Sequence, residues 1–264
     1  MLKSLFILLL LNLFIVIAIS STLDMVFIEA QNPDIAPFYV GKTPITQALF
    51  SEIMEYNQSS FKGDNLPAER VSWYEALVFC NLLSVAHGLE PVYIYHRRQN
   101  RTDPPTKDVY EWVAGWGGIP NNRVATWNMI EMDTEADGYR LLTSLEWDYL
   151  YNSLNSDIFE NLEEYAWVYT NSDNTTHAVG QKRVDSNGLY DFLGNVKEWQ
   201  YDEQGHISER YFRYSSEAQE AFYNSLGYKK FVFREFMYVM DQRGYTPVIR
   251  NSLIGLRVAR NSAF

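Results

Sequence analysis

The sequence predicts an α+β fold, a single domain with short strands, two to three helices and long loops. Two capping boxes, each a serine or threonine followed three residues later by glutamate, precede apolar helical runs at Ser72 and Thr143. Short apolar runs at residues 25–29 and 38–42 are typical of strands. The chain has 264 residues, 47% of them hydrophobic, which is enough for one sizeable core.

The elements follow one another along the chain with clear boundaries. Thr43 and Pro44 predict the start of the first helix, because a cap residue is followed by proline at the first helical position. A second helix is expected over residues 72–88, where a glycine ends it. Residues 91–95 form a predicted strand, and residues 96–122, which are polar and rich in turn residues, form an irregular excursion.

The first twenty residues have the pattern of a secretory signal peptide. A short basic start is followed by an apolar run over residues 4–19 and by small residues at 18–20. An uncleaved N-terminal membrane anchor is the alternative. We therefore expect residues 1–20 to be a signal peptide or anchor and residues 21–264 to form one domain. That domain is expected to be secreted or to lie in the cell envelope, in a bacterial periplasm or at the surface.

Composition argues against several classes of partner and site. The net charge of −11 disfavours nucleic acid and anionic membranes, so membrane contact is expected only through an uncleaved N-terminal segment. Cys80 is the single cysteine, which leaves neither an intrachain disulfide nor a cysteine zinc site, and we expect it to fill the core. The four histidines have no metal-ligand spacing.

Residues 187–199 contain a candidate cation-binding loop. Asp191 and Glu198 flank a tight turn in which the carbonyls of Gly194 and Val196 are exposed. Carboxylate and carbonyl oxygens in a small loop suit a hard cation, above all calcium. Spacing alone leaves two interpretations open, a calcium site and an ordinary solvated loop.

Several stretches of the chain form a set of recognisable motifs. They are LPAERVSWYEA at 66–76, FCNLLS at 79–84, GYRLLTSLEW at 138–147, YAW at 165–167 followed by Asn171 and Ser172, HAVG at 177–180, GLYDFLGNVKEW at 188–199 and GLRVA at 255–259. Together they resemble the formylglycine-generating enzyme family, also called the sulfatase-modifying-factor family, although Leu142 stands where the family has proline. The resemblance covers residues 25–260 and is strongest at 38–84 and 138–199. It implies a formylglycine-generating-enzyme-like fold, related to the C-type lectin fold.

The resemblance also implies two calcium sites. One would use the side chains of Asp191 and Glu198 with the carbonyls of Gly194 and Val196, all of which match the family in type. A further calcium site would involve Asn171 and Ser172, although the downstream carboxylate of that site is not clearly placed.

The resemblance breaks at the residues that carry the chemistry of the family. The active enzymes bind copper through two cysteines, whose places fall at about Met240 and Tyr245. Copper(I) prefers thiolate ligands, so copper and formylglycine generation by the known mechanism are not expected. The missing cysteine pair favours a pseudoenzyme, and activity through another site stays open.

Three function hypotheses remain. The favoured one is a non-catalytic module that binds a protein, peptide or glycan and carries a structural calcium site. Its contact surface would lie at residues 211–245, which are rich in tyrosine, phenylalanine and arginine, unless these side chains fill the core. The alternatives are a sulfatase-modifying oxidoreductase that uses an unrecognised site and a scaffold subunit of the envelope.

Overall fold

The computed structural model describes residues 23–95, 105–114, 118–122, 130–168, 170–201, 248 and 250–262. These residues form eight short strands and six helices. The strands are β1 (Met25–Ile28), β2 (Phe38–Gly41), β3 (Tyr93–Ile94), β4 (Glu131–Met132), β5 (Tyr139–Leu141), β6 (Lys197–Glu198), β7 (Ile254–Gly255) and β8 (Val258–Asn261). The helices are α1 (Gln47–Met54), α2 (Trp73–Ala86), α3 (Val109–Ala114), α4 (Ser144–Asn152), α5 (Ser156–Glu160) and α6 (Leu162–Tyr165).

The predicted α+β class is confirmed, with more helices than the two to three expected. The additional helices α3, α5 and α6 have six, five and four residues. A segment this short shows too few turns for a helical period to appear in the sequence. Helix α3 also lies within the stretch that was expected to be irregular.

A four-stranded antiparallel sheet with the order β1-β2-β8-β5 forms the centre of the fold. In its register, Phe27 lies opposite Tyr39, Tyr39 opposite Arg260, and Arg260 opposite Tyr139. These four side chains therefore form one row on the same face of the sheet. Strand β8, the last of the described strands, thus lies between β2 and β5, which come from much earlier in the chain.

Each face of the sheet is covered by its own apolar cluster. Val258 and Ala259 are consecutive in β8 and so point to opposite faces. Val258 belongs to the cluster formed with α1 and α2, whereas Ala259 belongs to the cluster formed with α4. The sheet is therefore the middle layer between two groups of helices.

Both predicted capping boxes are confirmed. Ser72 Oγ accepts a hydrogen bond from Glu75 N at 3.2 Å, and Glu75 Oε2 accepts one from Ser72 N at 2.7 Å. Thr143 and Glu146 exchange the same pair of bonds at the start of α4. These contacts satisfy main-chain donors that the first helical turn leaves unpaired.

The predicted start of the first helix at Thr43 and Pro44 is wrong. Helix α1 begins at Gln47, and its cap is Thr46, whose side chain accepts from Leu49 N. The preceding residue, Ile45, is held by main-chain bonds to Leu256 and Ala68. These contacts keep the chain extended past the proline. Tertiary pairing therefore outweighs the local preference of Thr43 and Pro44 for a helix start.

Some predicted features lie outside the described residues. They are the N-terminal segment 1–20, the aromatic-rich surface at 211–245 and the positions near Met240 and Tyr245. No helix in the described part of the chain is long and apolar enough to span a membrane.

Glu69 is a buried carboxylate that anchors the loop between α1 and α2. Its Oε1 accepts hydrogen bonds from the main-chain N–H groups of Ser60 and Phe61. Its Oε2 is buried without a partner among the described residues. Burial raises the pKa of this carboxyl above its usual range, in spite of the two main-chain donors.

We expect the charge on Glu69 to cost stability as the pH rises. Because its pKa is raised in the folded state, the favourable contribution of the protonated form is lost from about pH 4.5 upward. In thermal melts from pH 4.5 to 7, Glu69→Gln should therefore gain stability relative to the wild-type protein as the pH rises. A difference in melting temperature that stays constant over this range would contradict the assignment.

Candidate functional site

The backbone of the loop at residues 191–198 has a shape that only certain residue types allow. Asp191 and Asn195 have φ angles of +54° and +65°, a left-handed conformation that aspartate and asparagine tolerate better than most residues. A Cβ atom added at Gly194 would lie only 2.3 Å from the carbonyl oxygen of Trp167. Gly194 is therefore needed for close packing between this loop and the segment that carries Trp167.

Asp191 is 1% exposed and only half satisfied by hydrogen bonds. Its Oδ2 accepts a bond from Gly180 N at 2.7 Å. Its Oδ1 is buried and has no hydrogen-bond partner among the residues that the structure describes. Burial raises the pKa of Asp191, although the Gly180 donor and the charge of Arg257 oppose the rise.

Glu198, at the other end of the loop, is paired with Arg257. Both carboxylate oxygens accept from Arg257 Nε, at 3.0 and 3.1 Å, and Oε1 lies 2.8 Å from Arg257 Nη2. The guanidinium also donates to the carbonyls of Gly41 and Tyr190. Arg257 therefore ties the loop to β2 and β8 in the interior, where its side chain is 0% exposed.

The charges in this interior do not balance. Two buried carboxylates, Asp191 and Glu198, lie near one buried guanidinium, that of Arg257. Burial raises the pKa of Glu198 and the charge of Asp191 adds to the rise, whereas the half-buried Lys182 joins Arg257 in opposing the rise at Asp191. A hard cation beside Asp191 Oδ1 would neutralise the excess negative charge and fill the free acceptor. Within the described residues no three His, Cys, Asp or Glu side chains converge on a metal position, so main-chain carbonyls would have to complete the ligand set.

The predicted carbonyl ligands lie in the same loop. The Gly194 carbonyl accepts from Val196 N at 2.8 Å, and Val196 is buried. All four residues of the first predicted site thus lie in one loop, and Asp191 Oδ1 is the side-chain acceptor among them that has no partner in the described part of the chain. Asp191 and the main-chain carbonyls could ligate calcium as they stand, whereas Glu198 would have to exchange contacts with Arg257 for the ion. The occupancy of this site stays a prediction.

Asn171 and Ser172 lie in a separate turn where their oxygens already have protein partners. Asn171 Oδ1 accepts from Val168 N, and its Nδ2 donates to the carbonyls of Glu163 and Ala166. The Ser172 carbonyl accepts from His177 Nε2 at 3.0 Å. This donor set fits a cation poorly, and calcium there likewise stays a prediction.

Asn195 couples the loop to an aromatic stack that the sequence reading missed. Its side chain accepts from His177 N and donates to His177 O. The His177 ring stacks on Trp167 with centroids 3.7 Å apart, and Lys182 Nζ lies 3.9 Å from the Trp167 ring centroid. Asn195 and Arg257 are thus the residues that connect the loop to the rest of the fold. The only sequence signals for them are the Gly-Asn pair and the closing GLR run.

Cys80 is the one thiol of the sequence and lies in the middle of α2 with 0% exposure. Burial raises the pKa of this thiol well above its usual range. Since the nucleophile and the metal ligand are both the thiolate, Cys80 can serve as neither.

Comparisons with known proteins identify the family and the fold of the chain. A sequence profile described as "Sulfatase-modifying factor enzyme 1-like domain" matches residues 24–262. The chain is also similar to a protein of Paenibacillus barcinonensis named "Chaperone protein LppX", with 31% identity over 199 residues. That alignment covers 67% of this chain and 66% of the relative, so it spans just under two thirds of the relative's own length.

One solved structure has a similar fold throughout. It is Treponema denticola variable protein 1, with a TM-score of 0.68 and 24% sequence identity. The match covers 93% of this chain and 97% of that chain. This likeness concerns the fold, and it confirms the predicted formylglycine-generating-enzyme-like architecture.

Proposed function

Because the chain belongs to the family of sulfatase-modifying factor enzyme 1-like domains, we propose that it is a non-catalytic binding module that works outside the cytoplasm. Its ligand is a protein, a peptide or a glycan, and a calcium ion in the loop at 191–198 stabilises its fold. The relative named as a chaperone protein supports a polypeptide as the ligand. The signal-peptide pattern of the first twenty residues supports a place in the envelope or outside the cell.

The observation that carries the non-catalytic role is the state of the single cysteine. Oxidase chemistry with copper(I) needs exposed thiolates. The sequence holds only Cys80, which is buried in α2 with a raised pKa. The residues that remain therefore do not supply the sulfur chemistry of the active enzymes.

The support for calcium is the unbalanced interior of the loop. Asp191 has one buried oxygen without a partner among the described residues, and Glu198 beside it is buried as well, while Arg257 is the buried cation that faces them. When bound, calcium would supply positive charge at this point and would hold the turn between Asp191 and Glu198 in place. The role of the ion would be structural, since both carboxylates are buried.

We expect calcium to raise the melting temperature of the purified protein after treatment with EDTA. At free calcium a hundredfold above Kd, binding to the folded state alone adds about 2.7 kcal/mol, or about 5–10 °C for a chain of this size. The variant Asp191→Asn should lose this response because the amide carries no charge. Differential scanning calorimetry with and without calcium measures both effects.

A matched control for this experiment is Asp185→Asn. Asp185 is another carboxylate near Arg257 with a pKa raised by burial, and like Asp191 it has one buried oxygen, Oδ2, without a partner among the described residues. It differs in lying outside the loop, where its Oδ1 accepts from the main-chain N–H groups of Asn187 and Leu189. This variant should keep the calcium response. If calcium stabilises Asp191→Asn as much as the wild-type protein, the ion binds elsewhere. Stabilisation by copper(I) would argue for the oxidoreductase alternative.

A further inference from the structure

The central sheet has one edge that is open among the described residues. Lys42 N donates to Asp24 O at 2.9 Å, immediately before the β1–β2 pairs begin. Hydrogen-bonded and non-bonded pairs alternate along an antiparallel ladder. Met25 and Phe27 therefore occupy non-bonded pairs, and their main-chain N–H and C=O groups point away from β2. No described residue pairs with these outward groups.

The opposite edge of the same sheet is closed by side chains. Tyr139 N donates to Ser84 Oγ at 2.7 Å, and Leu141 N donates to Tyr93 OH at 2.9 Å. Both outward amides of β5 are thus satisfied by hydroxyl groups from α2 and β3. Proteins usually protect sheet edges against further pairing. Because β5 is protected and β1 is not, the β1 edge is a candidate docking site.

The surroundings of the open edge indicate the chemistry of a partner. Phe27 and Tyr39 are 48% and 37% exposed and pack against each other with tilted rings whose centroids are 5.2 Å apart, which forms an apolar platform beside β1. The carboxylates of Asp24 and Glu29 stand at the two ends of the strand and are exposed, and Asp24 also pairs with Lys42 Nζ at 2.8 Å. The platform suits apolar side chains at alternate positions of a strand, and the carboxylates suit basic residues on both sides of them.

We propose that β1 pairs with an extended polypeptide segment whose alternating apolar residues are flanked by lysine or arginine. The segment adds to the sheet as a fifth strand through the outward groups of Met25 and Phe27, while its apolar side chains cover Phe27 and Tyr39. This inference rests on the proposed binding role and names the partner class, but it does not depend on calcium. A second copy of the chain is disfavoured as the occupant because each copy carries a net charge of −11.

The test uses a labelled peptide of alternating valine and threonine with lysine pairs at both ends, titrated into the purified protein by fluorescence anisotropy. We expect Phe27→Pro to weaken binding by about tenfold or more, because proline removes an outward N–H while the inward ladder bonds remain. Phe27→Thr keeps the main-chain donor and should bind more tightly than Phe27→Pro. Glu29→Lys and a peptide with glutamate pairs should each weaken binding, and added salt should weaken it further.

Each other outcome overturns the inference. No binding of the lysine-flanked peptide, or equal binding by Phe27→Pro and Phe27→Thr, removes the edge as the site. A dimer in sedimentation experiments that Phe27→Pro dissociates makes a second copy the occupant. Protection of the Met25 and Phe27 amides from hydrogen exchange in the free monomer means that the chain covers its own edge.

A second experiment tests strand pairing even if Phe27→Pro does not fold. A peptide that is N-methylated at alternate residues along its pairing edge should fail to bind. Failure of these tests with an intact calcium response overturns this inference alone and leaves the calcium-stabilised fold in place.

Discussion

Replacement of Arg257 by methionine is expected to lower the free energy of unfolding by about 3–5 kcal/mol. The guanidinium is fully buried and pairs with Glu198, and it also donates to the carbonyls of Gly41 and Tyr190. Methionine preserves much of the length of the side chain but leaves Glu198 and Asp191 in the interior without a positive charge. The midpoint of guanidinium chloride unfolding, with its slope, measures the effect.

A surface ion pair provides the control for Arg257. Arg183 Nη1 lies 2.6 Å from Glu164 Oε2, but both side chains are more than half exposed. Arg183→Met should therefore have a much smaller effect than Arg257→Met, since exposed pairs are screened by solvent. The double variant Arg257→Met with Glu198→Gln should regain part of the loss, because it removes one of the unpaired charges. Equal losses for the two single arginine variants would contradict the assignment of Arg257 as the centre of the buried network.

Replacement of Gly194 by alanine is expected to cost about 3 kcal/mol or more. The new Cβ atom would lie 2.3 Å from the carbonyl oxygen of Trp167 and 3.0 Å from its carbonyl carbon. Because these are main-chain atoms, the contact cannot be relieved by a change of rotamer, and the loop must move away from Trp167. The main-chain bond from Asn195 N to Trp167 O should be lost with it. Thermal melts and hydrogen exchange at Asn195 measure the two consequences.

Gly41→Ala is the matched control, since Gly41 also packs against main-chain atoms and is buried. A Cβ atom there would meet its nearest neighbours, two main-chain oxygens, at 3.4 Å, an ordinary van der Waals distance. We expect a change below about 1 kcal/mol at this position. If both alanine variants were equally stable, the close approach of the loop to Trp167 would not exist in solution.

The parts of the fold that the sequence could predict depend on neighbouring residues. A capping box spans four positions, so Ser72 with Glu75 and Thr143 with Glu146 carry their whole signal locally. The turn between Asp191 and Glu198 is local in the same sense, because these residues lie seven positions apart, while calcium in that turn stays a prediction. These features did not require knowledge of the tertiary structure.

The parts that could not be predicted depend on contacts between distant residues. Glu198 is separated from Arg257 by 59 positions, and no spacing in the sequence connects them. Thr43 and Pro44 have the residue types of a helix start, yet the pairing of Ile45 with Leu256 and Ala68 keeps the chain extended there. Asn171 has the side chain of a cation ligand, but its three hydrogen bonds hold its own turn together.

The position of β8 within the sheet bears on when the chain folds. Because β8 lies between β2 and β5, the sheet has no centre until residues 258–261 are available. The β1–β2 hairpin that precedes it has only two strands, which is marginally stable in water. Pairing between such distant segments is slow, so we expect the four-stranded sheet to form only after β8 has been synthesised. Such a delay would benefit a protein that is exported as an unfolded chain, as proposed for this one, since β8 is the last of the described strands and joins the two parts of the sheet.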